Sequence, residues 1–564
     1  MTNQLLKLFK FRNILAFTGL VLALSGLVFC TLLFSTTYPS FIDFLSRWMH
    51  KKPEQLQSVI SESRFTFLRL APLFLLLAGV LLFLFRGKIS QAAANTRAVL
   101  RQERSYFQSI SPQHKLIYRV ILGCFAIAAI CNALFLPVTY DEAWTYLNFT
   151  SKNPLVSATY YPAPNNHILH SILTNFTAYL PFGSLFNLRI SSILIGILSA
   201  AVFFRFLLKK TDATTSLLVL CLYCFSYPVL YYSSVSRGYI LTVLAFLICL
   251  YALDELRKTY RKTWNLVFIA GSLIGFYAMP SFLYPFLTLV SFYGFNAIRT
   301  KNFKDLFRMI RTTITTTVLV CCLYVPVFAV SGIRAVTSND FVKPLERKIV
   351  FTGLFDHFND TSRFLTYLPL VYLLVLLAIL GAFYLALKQS KKLPAVSLYM
   401  YLLILPPVLL LIHAVIPFPR TWTYLIVPIL LFFSVTGSAF LSKCSKPAFF
   451  LLLLPACGFL FVKSELKEEV QAFQNKELCH YLDQNHYQRV ICRHPLMDTY
   501  LRFYNRENPG FELVYLQPNE AISQALSSAR DAKVIISGTS LPELSGKFLL
   551  KRFRKNNYWL YLRK

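Results

Sequence analysis

The chain has 564 residues, of which 56% are hydrophobic and 16% aromatic, and its mean hydropathy is +0.53. This composition excludes an ordinary soluble domain. The net charge of +32 would suggest nucleic acid as the partner of a soluble protein. Here the basic residues fall mainly in short segments between apolar runs, which is typical of topology signals at an anionic membrane surface. The sequence therefore predicts a multi-pass membrane protein that does not bind nucleic acid.

Apolar runs long enough to cross a hydrocarbon core of about 30 Å recur along the chain. The sequence predicts about thirteen such spans. They begin near Asn13, Phe65, Leu116, Leu188, Thr215, Gly238, Trp264, Phe282, Met309, Phe364, Leu393, Thr421 and Pro447. The first two form a predicted hairpin, and the polar segment between them, residues 39–64, is expected to lie amphipathically on the surface.

Lys and Arg in short loops predict the orientation, because they are enriched on the cytoplasmic side. One set of predicted loops carries Arg86 to Arg104, Lys209 and Lys210, Arg257 to Lys262, Arg299 to Arg308, Lys388 to Lys392, and Lys443 with Lys446. If these loops are all cytoplasmic, the spans alternate without conflict. The amino terminus then lies on the cytoplasmic side of an inner (cytoplasmic) membrane, and the carboxyl tail lies on the exterior side. The first exterior loop also contains Arg47, Lys51 and Lys52, which runs against this bias.

The tail after about residue 464 has a different character. Charged helical stretches alternate there with short apolar segments that predict strands at residues 489–492, 511–516, 533–536 and 558–561. This alternation favours a small α/β domain with a largely parallel sheet. The predicted domains are a two-helix hairpin with a cytoplasmic linker (1–115), a transmembrane catalytic domain (116–463) and an extracytoplasmic α/β domain (464–564).

Two adjacent carboxylates, Asp141 and Glu142, follow the third apolar run. Thr139 precedes Glu142 by three residues, which is the spacing of a helix capping box. A cap and a catalytic role are compatible, since a capped helix would hold Asp141 rigidly. Neighbouring residues on a helix project about 100° apart, so we expect Asp141 and Glu142 to have different partners.

The segment from Tyr161 through Asn166 and His167 to His170 contains two prolines and two histidines. The prolines predict an extended turn leading into a helix, with the histidines on one face. A divalent metal held by the histidines and a carboxylate is one interpretation, although His-x-x-His alone is weak evidence. The others are hydrogen bonds to loop carbonyls and donation to substrate oxygens. The sequence predicts no definite cofactor or metal ligand set.

Arginines near the exterior starts of spans are the third feature. Arg189, Arg237 and Arg420 lie where the helix dipole and the positive-inside bias both disfavour a cation. Each alone could extend to lipid headgroups or pair with a loop carboxylate. Together with Arg334 and Lys343 of the large loop, they indicate a shared phosphate-bearing ligand, because guanidinium groups and helix N-termini both bind phosphate.

These elements resemble the C-type glycosyltransferase (GT-C) superfamily. The resemblance rests on the Asp-Glu pair in the first large exterior loop, the Asn166-His167 element, Arg237-Gly238-Tyr239 and Pro419-Arg420. By pattern the nearest members are protein O-mannosyltransferases and lipid A aminoarabinose transferases. The resemblance covers residues 116–462 and leaves out the first two spans. Two departures concern the acceptor side: no Pro follows His167, and Thr-Trp follows Arg420 where Tyr is more usual.

The resemblance implies a polyprenyl-phosphate sugar donor and an inverting transfer to an extracytoplasmic glycan, lipid or protein acceptor. It implies Asp141 as the catalytic base, with Glu142 assisting. Donor-phosphate contacts would come from Arg237 and Arg420. The residues predicted to bind substrate are completed by His167, Asn166, Tyr161, Tyr239, Arg334, Lys343 and Arg189. Two alternatives remain open, which are a transporter or flippase of lipid-linked sugars and a glycan polymerase or ligase.

Overall fold

The structure of the protein is a computed structural model. It describes residues 2–49, 53–258, 262–337, 343–369, 371, 374, 375, 377–381, 393–436, 458, 470–507, 510–517, 520, 533–538, 540, 541, 544, 548–552 and 558–563. The predicted fold class is confirmed, since apolar helices dominate the described residues and a small sheet stands near the carboxyl end.

The helices fall into three groups along the chain. The first group comprises α1 Thr2–Ser35, α2 Tyr38–Met49, α3 Pro53–Val59, α4 Glu62–Leu68 and α5 Ala71–Gln108. The second comprises α6 Pro112–Phe135, α7 Tyr140–Thr145, α8 Pro154–Thr159, α9 Ile168–Thr177, α10 Ser184–Leu208, α11 Ala213–Cys224, α12 Tyr227–Ser234, α13 Tyr239–Lys258, α14 Lys262–Ala278, α15 Leu283–Arg299, α16 Phe303–Ser331, α17 Arg334–Thr337, α18 Arg347–Thr366, α19 Leu393–His413 and α20 Ile426–Thr436. The third comprises α21 Val470–Gln484 and α22 Pro495–Glu507 of the tail.

Six of the described helices are long and apolar enough to cross a membrane. They are Arg12–Ser35, Pro112–Phe135, Ser184–Leu208, Tyr239–Lys258, Pro280–Arg299 and Phe303–Ser331. The predicted number of about thirteen is not confirmed. Several other apolar runs form shorter helices. Most of the span expected from Pro447 lies outside the described residues, as does part of the span expected from Phe364.

The run that begins near Thr215 differs from the straight span expected for it. It forms α11 and α12, which are bent by 57° relative to each other. Pro228 stands in the first turn of α12, where it lacks the N–H that a continuous helix would require. The bend brings the end of α12, and with it Arg237, to the site described below.

The basic segment from Arg86 to Arg104 was expected to be a cytoplasmic loop, but it is helical. It forms the second half of α5, which runs for 38 residues. Its Ala, Gln, Arg and Glu residues have high helix propensity, so the helix continues beyond its apolar part. Helix α1 packs closely against α5, because a Cβ on Gly79 would lie 2.3 Å from the backbone nitrogen of Ala23.

The tail folds around a five-stranded sheet. Its strands are β1 Arg489–Cys492, β2 Glu512–Tyr515, β3 Val534–Ser537, β4 Phe548–Arg552 and β5 Trp559–Arg563. Their order in the sheet is β2-β1-β3-β5-β4. Strand β1 pairs in parallel with β2 and β3, whereas β5 pairs antiparallel with β3 and β4. The four predicted strands are confirmed, and β4 was missed. The expectation of a largely parallel sheet is wrong, because β5 pairs antiparallel with both of its neighbours.

Two hydrophobic clusters position the functional region. The larger one holds the membrane helices together and includes Phe125, Phe203 and Leu250. The second joins residues of the membrane domain to the apolar face of the tail, and its members include Val138, Ala143, Leu188, Met497, Leu501 and Phe503. Helix α7, which carries the two carboxylates, therefore lies between the membrane helices and the tail.

Candidate active site

Helix α7 begins with the capping box that the sequence predicts. The Thr139 hydroxyl accepts a hydrogen bond from the backbone N–H of Glu142 (3.3 Å), and the Glu142 carboxylate accepts one from the backbone N–H of Thr139 (3.0 Å). The capping interpretation is confirmed. A π-helix, Tyr146–Thr150, continues the segment.

Glu142 also forms a fully buried ion pair with Arg189. Nε and Nη2 of Arg189 donate to the two carboxylate oxygens at 2.9 and 2.7 Å. Its remaining N–H groups donate to the carbonyl oxygens of Ala133, Leu136 and Pro137 at 2.9 to 3.0 Å. All five guanidinium N–H groups thus have an acceptor. The pair ties α10 to the end of α6 and the start of α7.

The environment of Glu142 keeps its carboxylate ionised. Burial by itself raises the pKa of Glu142. The charge of Arg189 and hydrogen bonds from Arg189, Ser236 and Thr139 outweigh this effect and lower the pKa below its ordinary value. The backbone N–H of Ser236 donates to Oε1 at 2.6 Å. A buried carboxylate with this many donors has little capacity to accept a further proton.

Asp141 points to different partners, as the sequence predicts. Its Oδ2 lies 3.1 Å from Nη1 of Arg420 and 3.8 Å from Nη2 of Arg237. Its side chain is 23% exposed, so one side of the carboxylate remains accessible to a substrate. Of the two adjacent carboxylates, Asp141 is therefore the one able to contact an external molecule.

Arg237 lies just before α13. Its guanidinium group is held by Thr145 of α7 and by Asn165 of the loop that precedes α9. Nη1 donates to the Thr145 hydroxyl (2.8 Å) and to the Asn165 carbonyl oxygen (3.2 Å), and Nη2 donates to the Asn165 side-chain oxygen. The residue is 4% exposed, yet its Nε has no hydrogen-bond partner among the described residues. Arg420 has the same feature at its Nε.

His167 has a defined protonation state. Its Nδ1 accepts a hydrogen bond from the backbone N–H of Gly238 at 2.7 Å. Burial, followed by the charge of Arg237, holds the pKa of His167 well below its ordinary value. The neutral ring therefore carries its proton on Nε2, which lies 3.4 Å from Nη2 of Arg237. Since both groups are donors, they can share an acceptor atom of an incoming ligand.

Gly238 permits this arrangement because it has no side chain. A Cβ on Gly238 would lie 2.7 Å from Cβ of His167 and 2.9 Å from its Nδ1. Tyr239 packs edge-on against the His167 ring with centroids 4.9 Å apart and lies under Arg237 at 5.9 Å. A second ring, Tyr232, packs 4.4 Å from Tyr239.

The two histidines diverge, contrary to the expectation that they share one helix face. His167 precedes the first turn of α9, while His170 lies inside it and its Nε2 is 2.8 Å from the Ser192 hydroxyl. Burial lowers the pKa of His170 to about 3. Within the described residues, no group of three His, Cys, Asp or Glu side chains could hold a metal ion.

The other predicted site residues have separate environments. Asn166 braces the loop, because its Nδ2 donates to the Ser157 and Tyr160 carbonyl oxygens at 2.9 Å. Tyr161 is buried and packs in a small apolar cluster near α16. Arg334 and Lys343 are exposed, and neither contacts Asp141 in the part of the chain that the structure describes.

Three contributors to the site were not predicted: Asn165, Thr145 and the backbone N–H of Ser236. Asn165 and Thr145 hold Arg237, and Ser236 holds Glu142. Asn165 adjoins the predicted Asn166, so the segment carried a signal, but Asn165 itself was not predicted. No local pattern marks Thr145, whose partner is distant in the chain.

The charges of the cluster do not cancel. The buried pair of Glu142 and Arg189 is neutral by itself. Arg237 and Arg420 then share the single carboxylate of Asp141, and His167 is neutral. The cluster therefore has an excess positive charge and unpaired donors around a partly exposed carboxylate. Such a site favours an anionic ligand, because a buried cation without a counter-ion is costly.

Comparison with known proteins relates this architecture to solved structures. No protein-family model matches the chain, and no curated protein matches its sequence. ArnT from Cupriavidus metallidurans bound to undecaprenyl phosphate superposes with a TM-score of 0.50 at 10% identity, covering 78% of this chain and 97% of ArnT. The chain shares the ArnT fold. The apo state of ArnT gives a TM-score of 0.50 at 11% identity, covering 79% of this chain and 97% of ArnT.

ArnT is a lipid A aminoarabinose transferase of the GT-C type. The fold that the sequence resemblance implies is therefore confirmed. The matched share of this chain also extends beyond the 116–462 segment on which the sequence resemblance rested. At this level of identity, the likeness establishes the fold.

Proposed function

We propose that the protein is a membrane glycosyltransferase that moves one sugar from a polyprenyl-phosphate donor to an extracytoplasmic acceptor with inversion. The observation that supports this most directly is the cluster of Asp141, Arg237 and Arg420. It combines a carboxylate that is accessible to a substrate with two guanidinium groups whose Nε atoms lack partners among the described residues. ArnT was solved with undecaprenyl phosphate, and a lipid of this chemical class fits such a site.

The reaction needs a base and a stabiliser of the leaving group. The acceptor hydroxyl attacks the anomeric carbon, the bond from that carbon to the phosphate oxygen breaks, and the hydroxyl proton passes to Asp141. The polyprenyl phosphate leaves with additional negative charge. Arg237 and Arg420 stabilise that charge, because donors aimed at developing charge in a site of low water content are most effective. His167 donates a further hydrogen bond from Nε2.

Glu142 and Arg189 have a supporting role in this proposal. Every N–H of Arg189 already has an acceptor, and Glu142 accepts from Arg189, Ser236 and Thr139. Neither side chain is exposed, so both hold α7 in place and do not contact substrate. Asn166 and Tyr161 likewise support the loop. Arg334 and Lys343 stay predictions for contacts to an anionic ligand.

The proposed orientation places the cluster on the exterior face of an inner membrane. Helices α10 and α13 both begin near the cluster. Both end in basic residues at the opposite side, where Lys209 and Lys210 pair with Glu255 and Asp254 at 3.0 and 2.5 Å. This polarity agrees with the positive-inside rule if those ends are cytoplasmic. The amino terminus is then cytoplasmic and the tail extracytoplasmic.

A transport function has one observation in its favour. The bent pair of α11 and α12 resembles the discontinuous helices of transporters, and α12 leads directly to Arg237. Transport of a lipid-linked sugar would leave the sugar-phosphate bond intact. The two functions therefore differ in whether that bond is broken.

Donor cleavage in liposomes tests the proposal. Purified protein is reconstituted with polyprenyl-phosphate sugars labelled in the sugar, and release of polyprenyl phosphate is measured with extracts of envelope glycolipids as acceptors. We expect turnover by the wild type, a loss of about 10² to 10⁴ in Asp141→Asn, and weakened donor binding in Arg237→Gln and Arg420→Gln. Asp356→Asn and Arg311→Gln, both exposed, are matched controls.

Movement of intact donor across the bilayer without cleavage would refute the proposal and favour transport. Absence of both would favour a polymerase or ligase with another donor.

A further inference from the structure

Helix α7 has two faces with different partners. Asp141, Glu142 and Thr145 contact arginines of the membrane domain. Tyr140 and Ala143 lie on another face, which Tyr146 at the start of the π-helix continues with the same three-residue spacing. The tail covers this face. Ala143 belongs to the apolar cluster that tail residues dominate, with Tyr140 and Tyr146 packed against it.

The tail contributes one face of α22 to this contact. The ring of Tyr500 lies 6.3 Å from that of Tyr140, and the ring of Phe503 lies 5.2 Å from that of Tyr146. The guanidinium of Arg506 stands 5.3 Å from the centre of the Tyr146 ring. Phe503 is fully buried and Tyr500 nearly so. These residues, at positions 500, 503 and 506, repeat with the same three-residue spacing as their partners.

A helix as short as α7 does not hold its own position. It has six residues, whereas isolated helices need about 12 to 15 residues even to be marginally stable. The capping box and the ion pair of Glu142 hold one side of α7. The tail supplies the packing on the other side, directly next to Asp141 in the sequence. The direction of the Asp141 carboxylate thus depends on both contacts.

We propose that Tyr500 and Phe503 of the tail are positioning residues for Asp141, so that the tail is an integral part of the catalytic unit. This inference rests on the proposed function for its kinetic consequence, but its structural part is independent of the substrate. Without these two rings, α7 loses its packing on the tail side. Asp141 then moves relative to Arg420 and to Arg237, which Asn165 continues to hold. Misplacement of a catalytic group by about 1 Å can cost about 10² in rate.

The test uses full-length Tyr500→Ala/Phe503→Ala protein in liposomes. We expect turnover to fall by about 10- to 100-fold, while the dissociation constant of undecaprenyl phosphate changes by less than about threefold, because the arginines remain in place. The conservative variants Tyr500→Phe and Phe503→Leu should recover most of the turnover. Phe473→Ala and Tyr515→Ala remove the same ring types from parts of the tail away from α7 and are the matched control. Turnover equal to that of the control would overturn the proposal, and so would an equal loss of binding and turnover.

Hydrogen exchange provides a measurement that does not require activity. We expect amides of residues 140–150 to exchange faster in the double variant than in the control pair, with exchange in α10 and α13 unchanged. Unchanged exchange in residues 140–150 would overturn the proposal even if turnover falls. If the wild type shows no sugar transfer, the proposed function fails, and exchange alone decides the positioning role. If the double variant does not accumulate, Tyr500→Ala and Phe503→Ala are measured singly against the same outcomes.

Discussion

Replacing Glu142 with Gln tests whether this carboxylate supports the fold or takes part in the chemistry. The substitution keeps the size of the side chain and removes its charge. Arg189 would then remain buried, with 0% of its side chain exposed and no counter-ion. The backbone N–H groups of Thr139 and Ser236 would compete for the one remaining side-chain oxygen.

The magnitude follows from these contacts. Removing one partner of a buried ion pair typically costs about 3 to 5 kcal/mol, and a buried donor left without an acceptor costs about 1 to 3 kcal/mol. These costs overlap, so we expect Glu142→Gln to destabilise the protein by at least about 3 kcal/mol. The expected fall in Tm is roughly 5 °C or more.

Thermal unfolding of the protein in detergent, followed with a thiol-reactive dye, measures this effect. Glu346→Gln is the matched control, because Glu346 is exposed and should change stability by less than about 0.5 kcal/mol. The double variant Glu142→Gln/Arg189→Met should cost less than the sum of the two single changes, since it leaves no charge buried. A Glu142→Gln protein with the Tm of the control but without turnover would refute the structural role and assign Glu142 to the chemistry.

Three further predictions concern individual side chains. Asp141→Asn should bind undecaprenyl phosphate at least as tightly as the wild type. The substitution removes the carboxylate charge that competes with the phosphate for Arg420 at 3.1 Å and Arg237 at 3.8 Å. Weaker binding in a vesicle-flotation assay would contradict this. Gly238→Ala should weaken the same binding and cost about 1 to 3 kcal/mol of stability, since its Cβ would lie 2.7 Å from Cβ of His167. Gly123→Ala is its control, because no atom outside the adjoining helix backbone lies within 4 Å of the new Cβ. Equal behaviour of the two variants would rule the steric argument out. The free energy of unfolding should fall as the pH drops below about 6.5. In the unfolded chain His170 takes up a proton near that pH, whereas burial in the folded protein lowers its pKa to about 3. His170→Gln should flatten this dependence of Tm on pH, and an unchanged slope would assign the acid sensitivity to other groups.

Local signals predicted the parts of the site that depend on nearest neighbours in the chain. The Thr139 and Glu142 capping box needs only a spacing of three residues, and the structure contains it. The Arg237-Gly238-Tyr239 element was identified from the sequence, and His167 packs against its glycine. Four tail strands were found from short apolar segments. Strand β4, Phe548–Arg552, was missed because its sequence runs directly into basic residues that resemble a charged loop.

Long-range contacts explain where the predictions stopped short. The sequence predicted that Asp141 and Glu142 have different partners, but it grouped Arg189 with Arg237 and Arg420 as one phosphate site. The structure pairs Arg189 with Glu142 in a buried, fully hydrogen-bonded arrangement and leaves the other two arginines around Asp141. No helical periodicity specifies which of three equivalent arginines reaches which carboxylate, because the partners come from helices far apart in the chain.

The sequence by itself determined the membrane class, the helix that presents the carboxylates and the residue types that gather at one end of the spans. Composition, apolar run length and capping chemistry are local properties, and they suffice for those conclusions. Only the tertiary structure decided that α11 and α12 bend, that the loop at Asn165 holds Arg237, and that the tail covers the other face of α7. The physical reason is that a six-residue helix has no stable position of its own. The packing around it decides where Asp141 points.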